Sequence, residues 1–532
     1  MNTPQEKLDA LFPVPAPAPR GSSLTPVRLA GPTQKSAQEL IELMQDNHKN
    51  LHIFFNDKQF HNHATHHLLA IYSMGAGAQL LKAAYATHVA YQRPAIPPPG
   101  PVNEDNWKEF LGDERKGYYQ AYLTFFSDQL IAKGPGHVLE EYIFSKNANL
   151  VPAKGKDTRP QLLERYLGGF LHPLIHSGYG AEFGQLGMWA EGLSEACVQT
   201  PLPAGLIPDA LFDSIVPSTP SIISRVASLT LSSKPSSTST ESSPHALTLL
   251  ARVAKDSDFS PSKIGLPAPE GENSVAKVIA AGKDKLQNIL DEWTIAPTRE
   301  DLDKKIEELI WMNTVIYGVG GWGGRALSKD PSKEFNGDFF LLRSMHLITS
   351  AIFIPSLITH LPTATAVFFV RTYFITCLTL YIARGRPSLP IAGFYSTVTD
   401  TPTPPGVQPT PSQDVFGPDL SYTNPSQAKK GWHKEGGDKI VTPNPWLAII
   451  QSVLVHPDEH LCKAQRSLLH FAATFGTTPP GAFASLASEL EGADLLDGTL
   501  FVRISGLTAN LLGWVREGQA EKSWDHIGYF DE

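Results

Sequence analysis

Apolar residues recur along most of this chain at the three- and four-residue spacing of helices that bury one face. In residues 34–51, for example, Leu40 and Met44 share one face, and Ser36 and Glu39 have the spacing of a capping box. The same period predicts helices over residues 64–74, 80–91, 107–133, 159–170, 183–197, 302–316, 339–355, 365–383 and 447–475.

The alternation of apolar and polar residues that marks a strand is scarce, and residues 498–503 (GTLFVR) are its best candidate. We therefore predict a mainly α fold, a single large helical body with Pro/Ser-rich loop insertions and few short strands. The helical domain would span residues 34–532 and follow a flexible Pro-rich leader, residues 1–33. The loop insertions are predicted at about residues 93–103, 232–245 and 395–430.

One apolar stretch, residues 347–370, is long enough to cross a membrane and contains no Asp, Glu, Lys or Arg. Pro355, His360 and Pro362 interrupt it, so we predict two buried helices that meet near His360 and no membrane span. The N-terminus lacks the basic start and apolar core of a signal peptide. Together with three widely separated cysteines, which cannot make a disulfide framework, these features predict a cytoplasmic protein.

Composition narrows the range of functions. The 532-residue chain carries 44 Lys and Arg against 53 Asp and Glu, a net charge of -9, which argues against a nucleic-acid-binding face. Histidine is frequent, with 18 residues against 3 Cys and 6 Met, and no C-x-x-C pair occurs. A metal site in this protein would therefore use imidazole and carboxylate groups rather than sulfur.

Residues 318–323 (GVGGWG) fit the G-x-G-x-x-G pattern of dinucleotide-binding sites, and Asp338 follows Gly318 by 20 residues. A dinucleotide site needs a strand before the glycines and a helix directly after them. The segment before these glycines has a helical pattern instead, and no parallel-sheet pattern surrounds it. We interpret the motif as a flexible Gly-rich turn.

The densest group of candidate ligands lies in residues 60–67 (FHNHATHH), where four histidines occur within seven residues. On a helix, His63 and His67 are four residues apart and share one face. Zinc proteases use this spacing to bind one metal through two imidazoles. Apolar residues follow directly, so this helix is predicted to pack inward and to bury some of these rings.

Two further segments carry histidines of the same kind. His172 and His176 repeat the four-residue spacing, and Pro173 favours a helix start with His172 at its N-cap. His346 lies in an apolar segment, where an imidazole without a partner would be costly. If these segments meet in space, their rings suit iron, copper or zinc. The alternative is that they are hydrogen-bonded core histidines.

Residues 456–466 (HPDEHLCKAQR) bring Asp458, His460, Lys463 and Arg466 close together on a predicted helix. We interpret this group as a solvated or salt-bridged helix start, with Asp458 near the positive end of the helix dipole, rather than as part of a site.

Several of these motifs, taken in order, resemble those of the questin oxidase-like family. They are HNHATHHLL at 61–69, HPLIHSGYGAEF at 172–183, MHLITS at 345–350, DEHLCKAQR at 458–466 and DGTLFVR at 497–503. The resemblance runs from about residue 50 to the C-terminus. It implies a largely helical fold and an oxidoreductase of fungal secondary metabolism that acts on polycyclic aromatic polyketides.

The resemblance also implies cofactors. Part of the family is described as mononuclear non-haem iron enzymes whose iron is held by several histidines and a carboxylated lysine, and some members are assigned NADPH dependence. Carried over, the metal ligands would be drawn from His63, His67, His172, His176 and His346.

The lysine of that ligand set is a departure. The resemblance implies a lysine in the helix after the MHLITS segment, yet this chain has no lysine between Lys333 and Lys429. Either Glu182 or water substitutes for that ligand, or the metal chemistry is altered or lost.

From the residues and the resemblance together, we expect O2-dependent oxidative ring cleavage of an anthraquinone-like aromatic polyketide, by a Baeyer–Villiger-type or dioxygenase reaction. Tyr179 or Glu182 would handle protons as catalytic residues. The alternative is a non-catalytic helical binding protein for aromatic metabolites with a degenerate metal site. The expected partners are the small aromatic substrate and O2, with no nucleic acid and no membrane, and the oligomeric state is left open.

Overall fold

Helices make up all the regular secondary structure in the part of the chain that the computed structural model describes. That part comprises residues 3–16, 21–214, 243–326, 342–407, 444–524 and 529–530. Within it, β-type pairing is limited to isolated bridges between Leu51 and Pro94 and between Phe54 and His61. The mainly α prediction is confirmed.

The longer helices are numbered in chain order. They are α1 (Pro4–Leu11), α2 (Gln34–Asn50), α3 (Ala64–Ser73), α4 (Ala78–Val89), α5 (Tyr119–Lys133), α6 (Gly168–Phe183), α7 (Leu186–Val198), α8 (Ala246–Lys255), α9 (Ser274–Glu292), α10 (Arg299–Val315), α11 (Leu342–Ala351), α12 (Thr363–Ala383), α13 (Pro445–Leu454), α14 (Glu459–Phe475) and α15 (Leu500–Leu512).

Shorter helical segments connect the long helices. The α-helical ones are Pro135–Leu139, Lys146–Asn149, Leu162–Tyr166, Pro261–Ile264, Gly321–Ala326, Ile354–Leu357 and Ile391–Thr397. Single 3₁₀ turns are Trp107–Phe110, Asp113–Tyr118, Asp209–Ser214, Ser257–Phe259, Ile358–His360, Ala484–Leu486, Ala493–Leu495 and Val515–Glu517. The π-helical turns are Glu140–Phe144 and Ile316–Gly320.

The strand predicted over residues 498–503 is wrong, because Gly498 and Thr499 form a turn and the residues from Leu500 onward form the start of α15. The Asp497 carboxylate accepts a hydrogen bond from the Thr499 N–H at 2.9 Å and so favours a helical turn at this point. Leu500 and Ile504, four residues apart, are then buried together on one helix face. Six residues are too few for the apolar pattern to separate the two periods.

The glycine motif at 318–323 is not a flexible turn. It is buried and helical, and it runs from the π-helical turn Ile316–Gly320 into Gly321–Ala326. A Cβ placed on Gly318 would lie 2.0 Å from Ile504 of α15, so the glycine permits close packing between two helices. The local structure is unlike a dinucleotide-binding turn, as predicted, and Asp338 lies outside the described residues.

The N-terminal leader differs from the predicted flexible segment. Thr3 and Glu6 form a capping box that starts α1, and Leu11 and Phe12 at its end are buried in the core. The capping box of α2 is also displaced by one turn, since Thr33 and Ser36 form it rather than Ser36 and Glu39.

Of the predicted loop insertions, residues 93–103 contain no helix. Most of residues 232–245 and of 395–430 lies outside the described part of the chain, and Ile391–Thr397 reaches into the start of the latter as a helix.

The apolar stretch 347–370 is divided as predicted. It continues from α11 through short helical turns to His360, breaks at Pro362, and resumes as α12. α12 is long and apolar enough to cross a membrane, with a mean hydropathy of 1.7, but 83% of its apolar window is buried inside the protein. This is what the buried central helix of a helical body requires.

The core is built around the antiparallel pair α6 and α7, which pack on each other along their lengths, with α7 also packed on α5. Gly192 of α7 permits this approach, because a Cβ there would lie 2.5 Å from the Pro173 carbonyl oxygen of α6. On its other side α6 packs against α3 and α11, and both of these helices pack against α14. Four helices thus enclose a common interior volume.

Replacing Gly192 by Ala should destabilise the protein by about 1–3 kcal/mol, because the added methyl group forces α6 and α7 apart. Urea unfolding followed by circular dichroism measures the change. Gly100→Ala serves as the control, since nothing lies within 4 Å of a Cβ at Gly100. Equal stability of the two variants would contradict the close packing described for α6 and α7.

Candidate metal centre

Four buried histidines meet where α3, α6, α11 and α14 come together. They are His63, His172, His346 and His460, and one ring nitrogen from each lies within 4.8 Å of those of the other three. The first three belong to the ligand set expected from the sequence, whereas His460 does not. We call this set the four-histidine group.

His63 is the N-cap residue of α3, whose ten residues are all buried. The side chain of Asn62 fixes this helix start, because its Oδ1 accepts a hydrogen bond from the Ala64 N–H at 3.0 Å. A buried helix start directs the first ring inward.

His172 follows a left-handed turn made by Gly169, Phe170 and Leu171, with φ angles of 52°, 54° and 68°. Two of these residues carry side chains that disfavour positive φ, so the backbone is strained just before His172. The right-handed part of α6 begins at His172, with Pro173 in its first turn, as the spacing had indicated. The Gly169 carbonyl oxygen accepts a hydrogen bond from His172 Nδ1 at 2.5 Å and fixes the ring.

His346 lies in the middle of α11, and a buried polar network holds this helix in place. The carbonyl oxygen of Leu347 accepts hydrogen bonds from Asn313 Nδ2 at 3.2 Å and from the Tyr373 hydroxyl at 3.1 Å. The His346 ring centroid is 4.6 Å from that of His172 and 5.6 Å from that of His460.

His460 was missed because residues 456–466 were interpreted as a solvated or salt-bridged helix start, whereas His460 is buried. Pro457 divides the helix predicted over residues 447–475, and α14 starts afresh with Asp458 as N-cap, whose Oδ1 accepts a hydrogen bond from the Leu461 N–H at 2.7 Å. The expected capping role of Asp458 is therefore present, but the first turn behind it faces the interior. The start of this helix was therefore predicted, and its burial was not.

The hydrogen bonds of the four-histidine group define which nitrogens carry protons. Glu459 Oε1 lies 3.1 Å from His63 Nδ1, and the Gly169 carbonyl oxygen lies 2.5 Å from His172 Nδ1. Both oxygens can only accept, so in a neutral ring the single N–H sits on Nδ1. The Nε2 atoms of His63 and His172 are then both bare, yet they are 2.7 Å apart.

Two facing lone pairs at this distance repel unless a proton or a metal cation lies near them. Burial lowers the pKa of both His63 and His172 well below the usual histidine value, which disfavours the proton. Among the described residues, the Nε2 atom of His460 is buried and has no hydrogen-bond partner. The four-histidine group therefore fits a metal cation bound through imidazole nitrogens.

The other two expected ligands point elsewhere. His67 Nδ1 lies 3.0 Å from His88 Nε2, and His88 Nδ1 lies 2.7 Å from the Tyr91 hydroxyl, so this chain of contacts leads away from the four-histidine group. His176 Nδ1 is 2.8 Å from His66 Nε2 and faces α7. In each four-residue pair, one ring joins the four-histidine group and the other does not.

His176 belongs to a second buried cluster, in which histidines alternate with the glutamates of α7. Glu195 lies 3.1 Å from both His176 and His61, and Glu191 lies 2.9 Å from His48. Burial raises the pKa of Glu195 to about 8, against the opposing charge of His61. The His61 ring stacks on His172 with centroids 3.8 Å apart, so this cluster packs directly against the four-histidine group and restricts the orientation of the His172 ring.

Tyr179 and Glu182, expected to handle protons, lie further along α6. Glu182 forms a buried ion pair with Arg466 of α14, whose guanidinium lies 5.6 Å from the Tyr179 ring centroid. The Tyr179 ring also contacts His66 at 5.1 Å rather than a member of the four-histidine group. Catalytic roles for these two residues stay predictions.

A lysine does reach this interior, although from a helix other than the expected one. Lys463 follows His460 by one turn of α14, is buried, and has no hydrogen-bond or ion-pair partner for its Nζ atom among the described residues. Burial lowers its pKa to about 8, and its charge in turn lowers the pKa of His63 and His460. A buried amine of this kind is partly neutral near physiological pH.

Comparison with known proteins identifies similar chains. A model of the questin oxidase-like family matches residues 60–468. The oxidoreductase AflY of Aspergillus parasiticus is 27% identical over 334 residues, which cover 61% of this chain and 58% of that protein. The Baeyer-Villiger monooxygenase AacuH of Aspergillus aculeatus is 35% identical over 185 residues, 34% of this chain and 35% of that protein.

The questin oxidase of Aspergillus terreus is 33% identical over 161 residues, which cover 29% of this chain and 33% of that protein. The matched regions thus span between about a third and three fifths of these relatives' lengths.

Replacing His67 by Gln should reduce the dependence of the unfolding free energy on pH in the acidic range. Burial, with His88 adding to it, holds the pKa of His67 at about 3 in the folded protein, whereas an exposed histidine titrates near 6.5. The unfolded chain therefore takes up this proton first, and the unfolding free energy falls as pH decreases from 6.5 toward 3. As the pH falls over that range, the unfolding free energy of His67→Gln should decrease by about 1.4 kcal/mol less per pH unit than that of the wild-type protein.

Urea unfolding of chelator-treated protein at about pH 6.5 and about pH 5 measures this slope. His137→Gln, at a side chain that is 59% exposed, should leave the slope unchanged. If His67→Gln has the wild-type slope, His67 is not buried in its neutral form.

Proposed function

Because the chain belongs to the questin oxidase-like family, we propose that it is an oxygen-dependent oxidoreductase that inserts oxygen next to a carbonyl of an aromatic polyketide. The four-histidine group is the observation that carries this proposal. It gathers four imidazoles from distant parts of the chain into one buried set, in which the Nε2 atoms of His63 and His172 face each other. In a purely structural core, two buried nitrogens without hydrogen bonds at this distance would be destabilising.

The metal in this proposal is a mononuclear non-haem iron held by His63, His172, His346 and His460. Imidazole suits iron, and a ligand set of four or five leaves a coordination position open. Bound iron would supply the activation of O2, which otherwise reacts slowly with organic substrates. The protein's part is to hold neutral rings in place and to exclude water from the surrounding interior.

Lys463 completes the proposed ligand set as a carboxylated lysine. The ammonium would first lose one proton. The neutral amine would then attack CO2, forming the N–C bond as one C–O π bond opens, and would lose a second proton, so that a buried cation becomes a carbamate anion. The pKa of about 8 makes the neutral amine available, and the lack of a partner for its Nζ among the described residues leaves the atom free to react. The product would neutralise part of the charge of a metal held by four neutral rings.

The relatives support a quinone-like aromatic ketone as the substrate class. Two of them are named as a Baeyer-Villiger monooxygenase and a questin oxidase. A Baeyer–Villiger reaction places one atom of O2 in the product and reduces the other to water, which requires two electrons from a donor such as NADPH. A dioxygenase places both atoms in the product and needs no donor. The two reactions therefore differ in the number of O2-derived oxygen atoms in the product and in the need for an electron donor.

A binding protein without catalysis was the alternative suggested by the missing lysine. Lys463 weakens that alternative, because a lysine with an available amine lies one helical turn from His460. We therefore propose catalysis and treat binding without turnover as an outcome of the test.

Purified protein should contain iron and convert an anthraquinone-type substrate in air, with one ¹⁸O atom from labelled O2 in the product and a requirement for NADPH. His460→Ala should lose the iron and the product, because one of four ligands is missing. His470→Gln is the matched control, since His470 lies on the same helix and bonds to the Leu24 carbonyl instead. Metal analysis and mass spectrometry of products measure these results.

If the product contains two labelled oxygen atoms and forms without NADPH, the reaction is that of a dioxygenase and not a Baeyer–Villiger oxidation. Tight binding of the quinone with no product in either variant would support the binding protein. Iron that persists in His460→Ala would remove the four-histidine group as its site.

Lys463→Met should weaken iron binding by roughly 10–100-fold and make it independent of bicarbonate. In the wild-type protein, added bicarbonate should strengthen binding, because CO2 forms the carbamate. Anaerobic Fe²⁺ titration with and without bicarbonate measures both effects, and Lys35→Met, at an exposed lysine of α2, is the control. A bicarbonate effect that survives in Lys463→Met would exclude this residue as the carbamate.

A further inference from the structure

Glu459 stands between two members of the four-histidine group. It is the first residue of α14, and its side chain is 19% exposed, so it lies at the edge of the buried site. A single carboxylate oxygen, Oε1, lies 3.1 Å from Nδ1 of His63 and 3.2 Å from Nδ1 of His460. His63 lies 396 residues before Glu459 in the chain, whereas His460 is the next residue after it.

We propose that Glu459 is a positioning residue that orients His63 and His460 as metal ligands and fixes the protons of both rings on Nδ1. This inference rests on the proposed function, because it concerns the same metal site. Glu459 itself is not among the metal ligands in this assignment.

The first part of the argument is the tautomer. A neutral imidazole carries one proton, which can sit on either nitrogen. An acceptor at Nδ1 holds the proton there and leaves the lone pair of Nε2 free to bind a metal. Without Glu459, the rings of His63 and His460 could place the proton on Nε2, where it blocks metal binding.

The second part is charge. Glu459 occupies the first turn of α14, where the helix dipole favours a carboxylate. A carboxylate bonded to an imidazole N–H raises the electron density of the ring and makes its other nitrogen a stronger ligand. His172 differs, because its Nδ1 meets the uncharged carbonyl of Gly169. The site thus contains ligands of two strengths, and the two that share Glu459 are the stronger.

The third part is geometry. By holding rings from two helices with one oxygen atom, Glu459 ties the start of α3 to the start of α14. A neutral substitute can keep the hydrogen bonds but not the charge, whereas an apolar substitute can keep neither. The two contributions can therefore be separated by substitution.

The test is the affinity and absorption spectrum of Co²⁺ in wild-type protein, Glu459→Gln and Glu459→Leu, measured without O2. Co²⁺ reports the ligand field through its visible bands, which a general loss of stability does not shift. We expect Glu459→Gln to bind roughly 10-fold more weakly and Glu459→Leu roughly 100-fold more weakly, with shifted bands in both. Glu164→Gln is the matched control, since Glu164 is also buried but lies outside the site.

Wild-type affinity and unshifted bands in both variants would overturn the positioning role. Equal losses in the two variants would remove the geometric argument and leave the charge, whereas a loss in Glu459→Leu alone would remove the charge argument and leave the geometry. If Glu459→Leu does not fold, Glu459→Gln decides alone, because the amide has the size of the carboxylate. A wild-type protein that binds no Co²⁺ and no Fe²⁺ would overturn the proposed metal site itself, which is a different result from a variant that binds as well as wild type.

Discussion

The contact between His63 and His172 is the constraint on which the rest of the site depends. Their Nε2 atoms are 2.7 Å apart, and their Nδ1 atoms are already engaged by oxygen acceptors. In a buried, neutral state both Nε2 atoms carry lone pairs, so the arrangement is unfavourable unless a cation completes it. The protein therefore has to hold the rings together against their own repulsion, and the surrounding helices supply the rigidity for this.

That rigidity comes from devices that limit movement of the backbone behind each ring. Gly192 lets α7 lie directly against α6, and the left-handed turn at Gly169–Leu171 sets the entry angle of His172. Asn313 and Tyr373 hold the backbone of α11 next to His346. Each of these features is a close contact or a buried hydrogen bond. Because protein interiors are densely packed, the loss of one of them would shift the neighbouring histidine ring.

Two kinds of histidine environment lie side by side in this interior. In the four-histidine group, His63 and His172 face each other through bare Nε2 atoms, which suits a metal. In the neighbouring cluster, His61 and His176 share Glu195, so their nitrogens already have carboxylate partners. The stacking of His61 on His172 joins the two environments into one packed unit. The same residue type thus has different chemistry according to what its nitrogens meet.

The sequence alone determined the helical fold and the segments that carry His63, His172 and His346, because apolar period and histidine spacing are local properties. It could not choose between His63 and His67, or between His172 and His176, since residues four apart share a helix face. It also did not show that His460 and Lys463 are buried, because the helix that begins at Glu459, just after Pro457, packs its polar first turns into the interior. Which nitrogens meet depends on how distant helices pack, and only the tertiary structure decided that.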